Sequence, residues 1–136
     1  MSFWLLKTEP EEYSYADLVA DGVAEWDGVT ANPAQAQMRR MAAGDACVIY
    51  HTGDQRLAVG LARVERGPYP DRTDPAGKRV WVDLRPTDPL GRPVSLAALK
   101  AHPAFADSPL VRMSRLSVVP LTRPQYDALL ELSRGG

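Results

Sequence analysis

Apolar and polar positions along this chain follow two periods. Phe3-Trp4-Leu5-Leu6-Lys7 is a short apolar run stopped by Pro10, which predicts a buried strand. Ser14-Tyr15-Ala16-Asp17 has the form of a capped helix start and Gly22 suits its end, with Leu18 and Val19 as apolar contacts. Trp26-Asp27-Gly28-Val29 reads as a turn or short strand. Asn32-Pro33 then predicts a cap and first helical position for a helix through Met38, Arg39, Arg40 and Met41 to Gly44. Ala46 to His51 and Leu57 to Arg66 are β-rich runs around a five-residue turn, the signal of a hairpin. Gly60, inside the second run, predicts a bulge or the close approach of a backbone or ligand. Residues 67–78, rich in Pro and Gly, read as a long loop. Val80 to Arg85 alternates, with Val80, Val82 and Leu84 on one face and Trp81, Asp83 and Arg85 on the other. Pro86 to Pro93 reads as a turn and Ser95 as the cap of a short helix. Residues 103–113 read as irregular, and Arg115 to Leu121 as a strand that Pro120 places at an edge. Thr122 caps a last helix carrying Tyr126, Leu129, Leu130 and Leu132.

The order β-α-α-β-β-β-α-β-α, with adjacent hairpin strands, predicts one α+β domain over residues 1–136 rather than a βαβ-repeating parallel sheet. A chain of 136 residues buries enough surface to fold without staples. Its single Cys47 excludes an internal disulfide and any multi-cysteine metal site. No apolar run is long enough to suggest a membrane span, and no leader pattern opens the chain, so a cytoplasmic protein without membrane partners is expected. Thirteen of the sixteen cations are arginine, a bias that fits a GC-rich coding sequence.

The net charge of −1 argues against a protein that wraps a nucleic-acid backbone. It hides an asymmetry, however. Residues 1–28 hold one cation and seven acids, a net of −6, while the rest of the chain carries +5. A local basic face is compatible with that distribution.

Candidate chemistry is sparse. Cys47 and His51 share a strand face but lie about 13 Å apart at ~3.3 Å per residue, too far for a nucleophile–base pair. The two histidines and one cysteine offer no metal-ligand set. No phosphate loop is present, and Glu9, Glu11 and Glu12 read as a solvated acidic turn. No catalytic residue, metal or cofactor is expected. Trp26 beside a Gly-containing turn, Trp81 on a polar strand face, and Tyr50-His51 at a strand end would suit a planar ligand, such as a base taken out of its stack.

Several motifs together carry a family resemblance: Trp4-Leu5-Leu6-Lys7-Thr8-Glu9-Pro10, Tyr13-Ser14, Trp26-Asp27-Gly28-Val29, Gly44-Asp45, Tyr50-His51, Gly60-Leu61-Ala62, Tyr69-Pro70-Asp71 and Arg115-Leu116-Ser117-Val118. In this order they resemble the EVE domain, over essentially the whole chain. The resemblance implies a PUA-like fold, a twisted, mostly antiparallel β-pseudobarrel flanked by short helices, as in bacterial members of the family. It also implies a non-catalytic reader of a modified nucleobase in DNA or RNA, a modified cytosine in DNA being the leading candidate; no heptad or exposed apolar helix forces a dimer, so a monomer is expected. Carried over, the pocket lies between Lys7-Thr8-Glu9 and the Trp26-Asp27-Gly28-Val29 turn, bordered by Tyr50, His51, Arg115 and Ser117. Trp26 and Trp81 are its expected walls, and Arg39, Arg40 and Arg112 its expected backbone contacts. Where the family commonly has Arg-Asn after the turn, this chain has Thr30-Ala31-Asn32-Pro33, so Asn32 and Thr30 are alternatives for that contact. Two other classes stay open: an RNA binder without modification specificity, and an enzyme acting on a nucleotide. An adaptor with a vestigial pocket is the bland reading.

Overall fold

The computed structural model describes residues 1–135. Six strands form one sheet: β1 (Phe3–Thr8), β2 (Ala24–Glu25), β3 (Ala46–His51), β4 (Leu57–Pro70), β5 (Val80–Ser95) and β6 (Val118–Leu121), in the order β2-β5-β4-β3-β1-β6. All neighbours are antiparallel except β1 and β3, which run parallel with Phe3 opposite Ala46 and Thr8 opposite His51. Five helices flank it: α1 (Tyr15–Asp21), α2 (Asn32–Met38), α3 (Leu96–Ala101), α4 (Pro109–Arg112) and α5 (Arg123–Ser133). This is the expected helix-flanked, mostly antiparallel α+β arrangement.

Local chemistry sets the helix starts. The Ser14 hydroxyl accepts from the Asp17 amide while the Asp17 carboxylate accepts from Ser14, and Gly22 closes α1 at φ +77°. Ser95 caps α3, and Thr122 and Gln125 form the same reciprocal box on α5. These three starts are as expected. The start of α2 is not: Ala31 is its cap without a side-chain bond, and Asn32 and Pro33 both lie inside the first turn. The helix stops at Met38, and Met41 reaches the core from a following turn while Ala42 is exposed.

The largest departure concerns β4 and β5, which continue through Pro70 and through Pro86–Pro93, segments that read as loop and turn. The physical reason is the sheet edge. β2 pairs only with Leu84 and Asp83, so beyond them the outer side of β5 has no strand neighbour. Proline there breaks no ladder bond. Repeated register shifts between β4 and β5 absorb the rest. Residues 103–113 are likewise ordered, as a 3-10 turn at Pro103–Phe105 followed by α4.

The core joins both faces of the curled sheet. Leu5, Leu6, Val48, Ile49, Val82, Leu84 and Leu129 are fully buried. α2 packs against both β5 and β6, which are four strand positions apart, and so fills the concave side. Buried Gln35 fixes it there: its amide donates to the Val29 and Val80 carbonyls at 2.7 and 3.1 Å and accepts from the Val80 amide at 2.9 Å. Asp45 anchors the other end, accepting from the Trp4 indole at 3.0 Å, Ser2 at 3.0 Å and Ala42 at 2.9 Å. Gly60 does lie at a bulge and a close approach, but the approaching group is the Tyr15 ring. A Cβ at Gly60 would stand 2.3 Å from that ring.

Candidate functional site

Three chain segments meet beside the C-terminal end of β1. The first is Lys7-Thr8-Glu9, which leaves the sheet. The second is the turn into α1 with the helix end at Asp21. The third runs from β2 into the Trp26–Val29 turn. Between them lies a cavity of about 680 Å³, closed on the β6 side by Ser117. The Trp26 amide donates to the Val82 carbonyl at 2.8 Å, which ties the turn to the central sheet. The Lys7 amide donates to the Ser117 carbonyl at 3.0 Å and ties β1 to the chain before β6. The Thr8 hydroxyl donates to the Tyr13 carbonyl at 2.7 Å, so the loop into α1 is pinned as well.

Aromatic wall and acidic rim are distinct. Trp26 is mostly buried and presents its remaining surface to the cavity. The Tyr13 ring meets it edge-on, with centroids 6.0 Å apart. Burial first, then the 2.6 Å bond from its hydroxyl to Asp21 and the nearby carboxylates, pushes the Tyr13 phenol well up. It therefore stays a protonated donor. Five carboxylates line the cavity: Glu9, Glu12, Asp21, Glu25 and Asp27. Glu25 is paired with Arg72, whose guanidinium at 2.9 Å holds its carboxyl below the usual range. Lys7 is the only cation in the lining, and burial lowers its ammonium from the usual lysine range.

Of the residues expected at the pocket, Lys7, Thr8, Glu9, Trp26, Gly28, Val29 and Ser117 line this cavity. Open space faces the Gly28 Cα, so no protein atom claims that volume. Tyr50 lines a second hollow of about 400 Å³ on the other side of Lys7. The structure does not bring Asn32, His51, Trp81 or Arg115 to the lining of either. His51 is buried, its Nε2 accepting from the Tyr15 amide at 3.0 Å and its Nδ1 paired with Gln55 at 2.8 Å. Trp81 is buried against Tyr69, with Arg72 over its ring. Asn32 is exposed at the start of α2, and Thr30 lines neither hollow. Arg39 donates to the Lys78 carbonyl, Arg40 to Gln37, and Arg112 pairs with Asp107, and none of the three lines either hollow.

Tyr13 and four acids were missed. Tyr13 belongs to the Tyr13-Ser14 motif, yet its ring carried no strand or helix face to place it. The acids had a signal: five of the seven acids in residues 1–28 converge here. The solvated acidic turn is thus partly a cavity rim, since Glu9 and Glu12 belong to it.

A family model described as the EVE domain matches residues 2–132. The chain is a member of the EVE domain family. Mouse (Mus musculus) thymocyte nuclear protein 1 is 33% identical over 166 residues, a span of 96% of this chain and 73% of the relative. The solved structure of Rpa0253 from Rhodopseudomonas palustris superposes with a TM-score of 0.93 at 39% identity, covering 98% of this chain and 94% of that one. Human THYN1 protein in complex with 5-methylcytosine-containing DNA superposes with a TM-score of 0.84 at 30% identity, covering 98% of both chains. The PUA-like α+β fold of the EVE domain is therefore the fold of this chain. The cavity beside Trp26 is a feature of this EVE domain's own residues.

Proposed function

We propose that this EVE domain is a non-enzymatic reader of a modified base in DNA, and that the base enters the cavity beside Trp26. The observation that carries this reading is an open cavity walled by Trp26 and Tyr13 in a chain that superposes over 98% of its length on a relative solved with 5-methylcytosine DNA. Extruding a base costs a few kcal/mol, and stacking on an aromatic wall returns about 1–3 kcal/mol. The acid-rich rim adds an edge preference. Carboxylates accept hydrogen bonds from the exocyclic amino group of cytosine, which other pyrimidine edges lack. Val23 and Val29 supply apolar surface for a ring substituent.

Cys47 and His51, the nucleophile and base candidates nearest in sequence, do not act as a pair. The Cys47 thiol is fully buried and pushed up by that burial, and both His51 ring nitrogens are occupied. The test is a binding panel of short oligonucleotides, as DNA and as RNA, that differ only in carrying 5-methylcytosine or cytosine. Tighter binding of modified DNA is expected. Equal binding of modified and plain DNA would overturn the reading. Tighter binding of RNA irrespective of modification would replace it with an RNA binder.

A further inference from the structure

The second hollow differs in the charge of its lining from the acidic cavity. Its lining includes Lys7, Arg56 and Lys100 and not one carboxylate. Four other arginines of the chain, Arg72, Arg85, Arg112 and Arg123, sit in ion pairs with acids. Among the described residues, none of the hollow's three cations does. Three cations around one hollow with no acid in its lining make a local positive potential that suits an anion.

Backbone contacts fix where these cations stand. Arg56 adopts φ +50°, a conformation that side-chain-bearing residues seldom take. Its carbonyl accepts from the Leu96 amide at 3.0 Å, which clamps the β3–β4 turn onto the start of α3. Lys100 stands in the last turn of the same helix. Lys7 donates one of its three protons to the Ser114 carbonyl at 2.9 Å and lies 5.9 Å from the centre of the Tyr50 ring. Thr52 also borders the hollow, its hydroxyl donating to the Thr8 carbonyl and the Glu9 carboxylate at 3.3 and 3.4 Å. Lys7 lines both spaces, so a ligand entering the acidic cavity by its base carries its sugar-phosphate past this ammonium.

We infer that the hollow between the β3–β4 turn and α3 is a phosphate seat, holding the nucleic-acid backbone next to the base extruded into the Trp26 cavity through Lys7, Arg56 and Lys100. This rests on the base-reading proposal for the cavity but makes a separate demand. Base discrimination and salt dependence reside on opposite sides of Lys7.

The experiment measures salt dependence of binding to a short DNA duplex with one central 5-methylcytosine and to its unmodified counterpart. The double variant Arg56→Gly, Lys100→Gln keeps the backbone at ease, since glycine tolerates the positive φ and Lys100 is exposed. Each cation lost from a phosphate lowers the salt slope by about one, so the variant's slope is shallower by about two. Between about 50 and 200 mM salt, its affinity then falls about 16-fold less than that of the wild type. The preference for the modified duplex should be unchanged. A control of equal charge change, Arg85→Gln with Arg123→Gln, lines neither hollow and should leave the slope in place. An unaltered slope in the first variant, or an equal drop in the control, overturns the phosphate seat. Wild-type binding without modification preference, but with the slope carried by Arg56 and Lys100, overturns the base reading alone. Binding of neither duplex overturns both.

Discussion

The cavity and the hollow share Lys7 and differ in nearly everything else. One is rimmed by five carboxylates and walled by Trp26 and Tyr13; the other holds three cations and no acid. A net charge near zero thus conceals two opposed surfaces that meet at one residue. The difference orients a ligand. A phosphate is repelled from the cavity and drawn to the hollow, whereas a ring with amino donors is suited to the cavity. A near-neutral protein can therefore bind a polyanion at one point without wrapping it.

The largest expected effect comes from the aromatic wall. Trp26→Ala should weaken binding of the modified duplex by about 1–3 kcal/mol, or about 5- to 150-fold, and remove its advantage over plain DNA. The salt slope should stay, because the hollow is untouched. Trp26 is also mostly buried, and truncating such a residue costs about 3–5 kcal/mol of stability. Thermal melting must accordingly accompany the anisotropy titration. Trp26→Phe, which keeps a ring, should recover both stability and part of the preference. A folded Trp26→Ala that still prefers modified DNA would separate the cavity from base reading.

The acids come next. If the rim reads a base edge, Glu12→Gln with Asp27→Asn should cost about 1–3 kcal/mol of discrimination. The same change removes repulsion towards phosphate, so binding of unmodified DNA should strengthen, most at low salt. Opposite signs on the two ligands are the diagnostic outcome, read from paired titrations at two salt concentrations. Both residues are exposed, so melting should hardly move. Parallel weakening on both ligands would mean that the rim only shapes the turn.

How much of this was legible in the sequence depends on how local the determinant is. The caps at Ser14, Ser95 and Thr122 are short-range bonds, and residue type alone places them. The Trp26–Val29 turn and the Lys7-Thr8-Glu9 strand end were legible as motifs, and they do meet. The length of β5 was not legible, because its prolines read as turn unless the free edge beyond β2 is known. Trp81 shows the same limit. Strand alternation puts it on the face of Asp83, but the register shift between Arg66 and Tyr69 sets Tyr69 opposite it, and that ring covers it. The acid excess of residues 1–28 was visible as a number. Its gathering at one rim needed the ends of β1, α1 and β2 to converge, which no spacing rule states.

The smallest effect tests the residue that joins the two regions. Burial lowers the folded-state pKa of Lys7, so in the window between that value and the ordinary lysine range the unfolded chain binds more protons. Stability from this group therefore rises with pH through the window. Tyr13, Tyr69 and the Tyr50 beside Lys7 act in the opposite sense from the ordinary tyrosine range upward, which overlaps the top of that window, because their phenols are pushed up and their ionisation favours unfolding. Phosphate bound beside Lys7 favours its charged form, so binding takes up a proton there and affinity falls as pH rises through the same window. The two trends have opposite signs, which separates a ligand effect from simple loosening of the fold. Lys7→Met should flatten both and lower the salt slope by about one. Titrations on unmodified DNA across the alkaline range, with melting at each pH, provide the check. If the affinity of the variant falls with pH as steeply as that of the wild type, the shared ammonium is not what links the acidic cavity to the basic hollow.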